Sequence, residues 1–87
     1  MSAAQVRWSS GALEDLAHWR RHDPRVAARI ERLLADIARS PHRGLGKPEP
    51  LKGELGGWWS RRLTLEHRLV YRVEKGTVWV LQARYHY

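Results

Sequence analysis

Apolar residues recur with two spacings along this chain of 87 residues, and each spacing predicts one kind of element. Residues 5–8 alternate polar and apolar side chains, a pattern typical of a short strand with one buried face. Residues 26–37 place apolar side chains at every third or fourth position, which predicts a helix whose buried stripe is Val26, Ile30, Leu33, Leu34 and Ile37. From residue 58 onwards the spacing returns to two and predicts strands.

Capping residues set the bounds of two predicted helices. A serine at position 9 or 10 can cap a first helix over about residues 10–22. Its inner stripe is predicted to be Leu13, Leu16, Ala17 and Arg20. Asp23 and Pro24 suit the cap and the first turn of a second helix, which is expected to end near residue 39 because Ser40 precedes a proline.

Three β-rich runs follow at about residues 58–64, 68–73 and 77–86, joined by a turn near residues 65–66 and a hairpin at residues 75–76. The predicted fold class is α+β: a short N-terminal strand, a two-helix hairpin and an antiparallel β meander, in a single domain over residues 1–87. The helices are expected to cover one sheet face. The other face would then carry Arg68, Arg72, Arg84 and His86.

The segment between the helices and the meander, residues 40–57, contains five glycines and three prolines and has no sustained period. A segment of this length without regular structure is usually functional or mobile in a small domain. Within it, Pro48 and Pro50 flank Glu49, and Lys47 and Lys52 lie beyond the two prolines. This arrangement predicts a rigidly placed carboxylate between two cations.

The composition adds a strong positive charge to this picture. Sixteen Lys and Arg against nine Asp and Glu give a formal net charge of +7, and most of the cations are arginine, which favours a polyanionic partner such as RNA or DNA. The chain has no cysteine, which suits a reducing compartment. Neither a long apolar run nor a signal-peptide pattern is visible, so we expect a cytoplasmic protein with no membrane partner.

A histidine, a carboxylate and arginines are the minimum set of groups for cleaving RNA without a metal. A base takes the proton of the 2′-hydroxyl, an acid protonates the leaving 5′-oxygen, and cations stabilise the charge that develops on phosphorus. Glu49, Arg68 and His86 can supply these functions. The alternative interpretation is that His86 is a solvated residue and Glu49 a loop charge.

Other conspicuous residues receive plainer interpretations. His18 and His22 are spaced to reach one metal ion, but no third ligand is evident, so exposure to solvent is favoured. Most of the five tryptophans are expected to fill the core of a chain that lacks phenylalanine, with one at most in a binding role. Arg61 and Arg62 are adjacent and should point to opposite sheet faces, one to contact phosphate and one to cover the core.

Four motifs occur in order along the second half of the chain. They are Gly46-Lys47-Pro48-Glu49-Pro50-Leu51-Lys52, Trp59-Ser60-Arg61-Arg62-Leu63-Thr64, Glu66-His67-Arg68-Leu69-Val70-Tyr71 and Arg84-Tyr85-His86-Tyr87. In these motifs the chain resembles the YoeB (Txe) toxins of the RelE superfamily, which have the RelE-like microbial RNase fold. The resemblance covers residues 41–87 densely and extends to the Trp-Ser start and helical hairpin of the first half.

The resemblance implies a toxin of a bacterial type II toxin-antitoxin system, an endoribonuclease that depends on the ribosome and cuts mRNA in the A site without a metal or other cofactor. It implies that Glu49 is the general base, His86 the general acid, Arg68 the group that stabilises the phosphorane and Tyr87 a residue that orients the substrate. It also implies that phosphates are held by Lys47, Lys52 and Arg62, which Arg84 joins on the basic sheet face.

The implied partners are a YefM-like antitoxin with an acidic segment, the ribosome and mRNA, operator DNA through the antitoxin complex, and a second copy of the chain as a homodimer. Two alternatives remain open at this point: a non-catalytic basic module that binds RNA or DNA, and an inactivated toxin kept as an antitoxin partner. Glu49, a nearby lysine and a water molecule all remain candidates for the general base.

Overall fold

The computed structural model describes residues 5–85, in which two helices lie on one face of a five-stranded sheet. The elements are β1 (Gln5–Trp8), α1 (Ser10–His22), α2 (Pro24–Arg39), β2 (Glu49–Pro50), a 3₁₀ turn (Gly53–Leu55), β3 (Trp59–Arg62), β4 (Arg68–Glu74) and β5 (Thr77–Gln82). The strand order is β1-β5-β4-β3-β2, with β1 parallel to β5 and all other pairs antiparallel. The predicted strand, helical hairpin and meander are confirmed.

The predicted caps bound both helices. Ser9 Oγ accepts a hydrogen bond from the Ala12 amide at 3.0 Å, and the same hydroxyl donates to the Leu81 carbonyl at 2.6 Å. Asp23 Oδ1 accepts from the Arg25 amide at 3.2 Å and begins α2. The cap of α1 therefore also fixes the start of the helix against β5.

The core lies between the helices and the sheet. All five residues of the predicted α2 stripe are buried. The predicted α1 stripe was wrong in part, because Leu13 is 51% exposed and the buried side chains of α1 are Ala12, Leu16 and Trp19. The helix is rotated so that Trp19 Nε1 can donate to the Ala83 carbonyl at 2.7 Å. A buried polar group of the tryptophan thus decides which face of α1 turns inward.

The segment at residues 40–57 is more ordered than its composition suggests. Glu49 and Pro50 form the edge strand β2 and pair with Ser60 and Trp59 of β3. Proline is compatible with an edge strand because one side of that strand needs no hydrogen-bond donor. A strand of two residues is too short to show alternation of polar and apolar side chains, and β2 was therefore not predicted.

Arg61 fixes the first part of that segment from inside the core. Its side chain is fully buried and donates to the carbonyl oxygens of Ser40, Arg43 and Leu45, to Asp36 Oδ2 and to Tyr71 Oη. Gly44 passes so close to this cluster that a Cβ there would lie 2.1 Å from Asp36 Oδ2. The prediction that Arg61 and Arg62 point to opposite faces is confirmed, but Arg61 is an internal anchor for a loop and not a cover over the core.

The tryptophans divide between core and surface. Trp19 is buried, and Trp8 and Trp59 are partly buried against the core. Trp58 is half-buried and Trp79 is 41% exposed. Within the described range, residues 5–85, neither helix has the length and apolar character needed to cross a membrane.

Candidate active site and nucleic-acid interface

A row of four paired residues crosses the sheet face that points away from the helices. Glu49 pairs with Ser60, Ser60 with Val70, and Val70 with Gln82, so one residue of each of β2, β3, β4 and β5 lies in line. Directly paired residues point to the same face. This face is the outer one, because Tyr71, next to Val70, is buried in the core. We call these four residues the Glu49 row.

Two arginines lie beside the Glu49 row. Arg62 of β3 pairs directly with Arg68 of β4, two residues along each strand from Ser60 and Val70. Like charges directly opposite one another are destabilising, and an anion between them removes that penalty. The sequence-based placement of Arg68 and Arg72 on one face is confirmed by this register.

The guanidinium groups of this pair retain donors. Arg68 Nη1 donates to the carbonyl oxygens of Thr64, Leu65 and His67 at 3.3–3.4 Å, and its Nε and Nη2 make no hydrogen bond to a described residue. Arg62 Nε is buried and has no partner among the described residues. Both side chains are half-buried, so they can approach a phosphate with little competing water.

Ser60 was not singled out from the sequence. It is only 1% exposed, and within residues 5–85 its Oγ has no hydrogen-bond partner. A buried hydroxyl without a partner costs about 1–3 kcal/mol. Its place beside Glu49 in the Glu49 row is consistent with a polar site, but no sequence pattern distinguishes it from other serines in strands.

One of the two cations that flank Glu49 has an unusual backbone conformation. Lys47 has φ +52°, a left-handed conformation that is rare for a residue with a side chain, and Lys47, Glu49 and Lys52 are all exposed. Among the described residues, the Glu49 carboxylate has no ion pair or hydrogen bond. The lysines lie on either side of β2, as the sequence predicted, and their contact with RNA stays a prediction.

The segment that follows β5, residues 83–85, is fixed by hydrogen bonds and not by strand pairing. Asp15 Oδ2 accepts from the Ala83 amide at 2.9 Å, and the Tyr85 carbonyl accepts from the Arg68 amide at 3.1 Å. Tyr85 has φ +64°. These contacts bring the segment to the end of β4 at which Arg68 lies.

The prediction that Arg84 extends a strand face was therefore wrong. Tyr71 pairs with Val80 but Val70 pairs with Gln82, which leaves Leu81 as an extra residue and ends the regular alternation. Arg84 follows the end of β5, and its guanidinium carbon lies 4.6 Å from the centroid of the Tyr85 ring. Its position is set by the hydrogen bonds that hold residues 83–85.

His67 holds this segment through a ring nitrogen. Its Nδ1 accepts from the Tyr85 amide at 2.7 Å, and its ring contacts Trp19 edge-on at 4.9 Å between centroids. Acceptance at Nδ1 requires a neutral ring with its proton on Nε2. His67 was absent from the predicted site residues, although it lies within a quoted motif.

We expect His67→Leu to accelerate hydrogen exchange at the Tyr85 amide by roughly 5- to 10-fold, the size of one lost hydrogen bond. His67→Asn should keep protection close to that of the unmodified chain, because its Oδ1 can replace Nδ1 as acceptor. Amide exchange followed by NMR measures both, with the Ala83 amide, bound to Asp15, as internal control. Equal Tyr85 exchange in the two variants would contradict the role of His67 as acceptor.

His86 and Tyr87, the predicted acid and orienting residue, lie outside the described residues, and their roles stay predictions. His18 and His22 have ring centroids 4.6 Å apart. Within residues 5–85 no group of three or more His, Cys, Asp or Glu side chains is arranged to hold a metal ion.

Comparison with known proteins identifies the family of the chain. A family model described as YoeB-like toxin of bacterial type II toxin-antitoxin system matches residues 8–87. The chain belongs to this family. Toxin YoeB of Streptomyces coelicolor is 52% identical over 83 residues, which are 95% of this chain and 99% of that protein. Toxin YoeB of Escherichia coli K12 is 46% identical over 80 residues, 92% of this chain and 95% of that protein.

Solved structures of YoeB toxins have the same fold. The YoeB dimer from Staphylococcus aureus superposes with a TM-score of 0.92 at 37% identity, covering 99% of this chain and 100% of that one. The toxin in a YoeB-YefM complex from the same species gives a TM-score of 0.90 at 36% identity, with the same coverage of both chains. The E. coli protein YafQ, at 18% identity and a TM-score of 0.72, shares the fold alone.

Proposed function

We propose that this YoeB-family toxin is a ribosome-dependent endoribonuclease that cleaves mRNA in the A site by metal-free general acid-base catalysis. The observation that carries the proposal is the juxtaposition of Glu49 with the paired arginines Arg62 and Arg68 on one sheet face. A carboxylate beside two guanidinium groups provides a proton acceptor and a phosphate site together. The place of action is the cytoplasm, where ribosomes translate mRNA.

In the proposed reaction Glu49 accepts the proton of the 2′-hydroxyl, and the 2′-oxygen attacks the adjacent phosphorus. The bond from phosphorus to the 5′-oxygen breaks as His86 protonates that oxygen. The products are a 2′,3′-cyclic phosphate and a free 5′-hydroxyl, and water can open the ring to a 3′-phosphate. Arg68 stabilises the charge on the phosphorane, while Tyr87 orients the substrate.

The substrate strand is proposed to lie along the outer face. Lys47, Lys52, Arg62 and Arg84 contact its phosphates in this proposal. The half-buried position of Arg62 supports its assignment, because a charge-assisted hydrogen bond is stronger where water is partly excluded.

The same basic face suits the proposed protein partner. Relatives from S. aureus assemble as a YoeB dimer and as a YoeB-YefM complex. We propose that this chain is held inactive by a YefM-like antitoxin with an acidic segment, that the complex binds operator DNA, and that the free toxin forms homodimers. The net charge of +7 favours an acidic partner.

The test is primer extension on a defined mRNA incubated with the purified chain, with and without ribosomes that carry this mRNA. We expect a new stop within the A-site codon that requires ribosomes. An identically purified His86→Ala preparation controls for contaminating ribonuclease.

Two outcomes would overturn the proposal. Absence of cleavage by folded protein that still binds RNA would identify a non-catalytic basic module. Absence of both cleavage and RNA binding, with retained antitoxin binding, would identify an inactivated toxin.

A further inference from the structure

A second row of side chains lies on the outer face beside the Glu49 row. Arg72 of β4 pairs with Trp79 of β5, and Trp79 also aligns with Arg7 of β1. The guanidinium carbon of Arg72 lies 5.5 Å from the centroid of the Trp58 ring. An arginine thus lies between two indoles, and we call Trp58, Arg72 and Trp79 the aromatic platform.

The exposure of Trp79 is not explained by folding. Its neighbours Val78 and Val80 are buried in the core, whereas Trp79 is 41% exposed on the opposite face. The indole is among the largest apolar side chains, and leaving it in water forgoes the stabilisation of burial. None of the roles proposed above uses Trp79, so the function of this surface is still to be assigned.

The position of the aromatic platform relates it to the proposed site of cleavage. Trp58 and Ser60 are two residues apart on one face, as are Arg72 and Val70, and two residues span roughly 7 Å of a strand. The platform therefore runs parallel to the Glu49 row at about that distance. An RNA strand with its scissile phosphate near Glu49 can place a neighbouring base there.

The charge of this surface favours a nucleic acid over a second copy of the chain as its binding partner. Among the residues that the structure describes, the outer face carries four arginines, Arg7, Arg62, Arg68 and Arg72, against the carboxylates of Glu49 and Glu74. Glu74 lies 3.4 Å from Arg72. A second copy of the same face would bring these cations against each other. A single-stranded nucleic acid offers both phosphates for the arginines and flat bases for the indoles.

We propose that the aromatic platform is a base-stacking subsite, which holds one base of a single-stranded RNA one or two nucleotides from the scissile phosphate. The placement relative to that phosphate rests on the proposed function, whereas the binding of a base does not. Stacking is stronger with the larger rings of purines, so the subsite favours a purine at this position.

Binding is tested first without catalysis, with a fluorescently labelled, uncleavable 2′-O-methyl oligoribonucleotide at low salt. We expect Trp79→Leu to weaken binding roughly 10-fold or more, the loss of one stacked base. Leu13→Ala, which truncates an exposed apolar residue of α1, is the matched control and should bind like the unmodified chain. Equal affinities of all three proteins would overturn the proposal.

Salt dependence separates stacking from charge. Arg72→Gln should reduce the slope of log affinity against log salt by about 0.7, the contribution of one phosphate contact to a single strand. Trp79→Leu should leave that slope unchanged. If Trp79→Leu converts a dimer to a monomer in sedimentation and leaves RNA affinity unchanged, the platform is an interface between copies and the proposal is wrong.

The catalytic placement is tested by an abasic nucleotide at either flanking position of ribosome-bound mRNA. An abasic nucleotide at one of these positions should lower the single-turnover cleavage rate of the unmodified chain by roughly 10- to 100-fold. The same abasic nucleotide should leave the cleavage rate of Trp79→Leu unchanged. Additive effects of the two changes would overturn this placement. Absence of cleavage by every protein defeats the proposed function instead, and the binding experiment still decides the subsite.

Discussion

Replacing Arg61 by methionine is expected to lower the free energy of unfolding by about 3–5 kcal/mol, the cost of breaking a buried ion pair from one side. All five donors of the guanidinium have acceptors, including Asp36 Oδ2 at 2.5 Å and Ser40 O at 2.6 Å. The total free energy of unfolding of a small domain is only about 5–15 kcal/mol. The variant should therefore approach the limit of stability, as measured by urea unfolding.

Arg39→Met provides the matched control. Arg39 also pairs with Asp36, at 3.3 Å, but its side chain is 80% exposed. The free energy of unfolding should therefore fall by less than about 1 kcal/mol. If the free energy of unfolding falls equally in the two variants, burial of the Arg61 pair adds nothing to its contribution to stability. We also expect faster hydrogen exchange at the Leu45 amide, which donates to Asp36, in the Arg61 variant.

The same pair predicts how stability depends on pH. Hydrogen bonds from Arg61 and then from the Leu45 amide lower the pKa of Asp36. The stability that this shift contributes is complete above the unfolded pKa of about 3.9, and it is lost as pH falls through the lower folded value. Arg61→Met should show a shallower loss of stability in this acid range.

The second large effect concerns catalysis. Replacing His86 by alanine is expected to lower the single-turnover rate of cleavage on ribosomes by about 10²–10⁴, the contribution of a general acid. Stability and RNA affinity should change little, because the defect lies in proton transfer. His22→Ala, at an exposed histidine of α1, is the control.

A substrate with sulfur in place of the leaving 5′-oxygen tests the role of His86 directly. A thiolate leaves without prior protonation, since thiols ionise near pH 8.5. The defect of His86→Ala should shrink on this substrate, whereas that of Glu49→Gln should persist because the base acts on the other oxygen. An undiminished His86→Ala defect would assign His86 a role other than general acid.

Features governed by a local period could be predicted from the sequence. The stripe of α2 follows from apolar spacing alone, and the caps at Ser9 and Asp23 follow from side-chain oxygens placed ahead of helical runs. The pairing of Arg62 with Arg68 could not be predicted in this way, because it depends on the register between β3 and β4. Recognition of the family came from ordered motifs and not from periodicity.

Features that depend on distant partners could not be predicted. Val80 and Gln82 have the same parity in the sequence, but the extra residue Leu81 turns Gln82 to the outer face. Arg61 differs from Arg62 only through the partners that surround it in the fold. The inner face of α1 is likewise set by the reach of Trp19 to Ala83, 64 positions away.

The parallel pairing of β1 with β5 has a consequence for the order of folding. Val6 lies beside Val78, and β5 is the neighbour of β1 in the described sheet. During synthesis the helical hairpin can form early, but the earliest strand must wait until the latest one has been made. Contacts over such sequence separations close slowly. The nascent chain therefore passes most of its synthesis with an incomplete sheet, and its outer face is assembled only after β5 has been made.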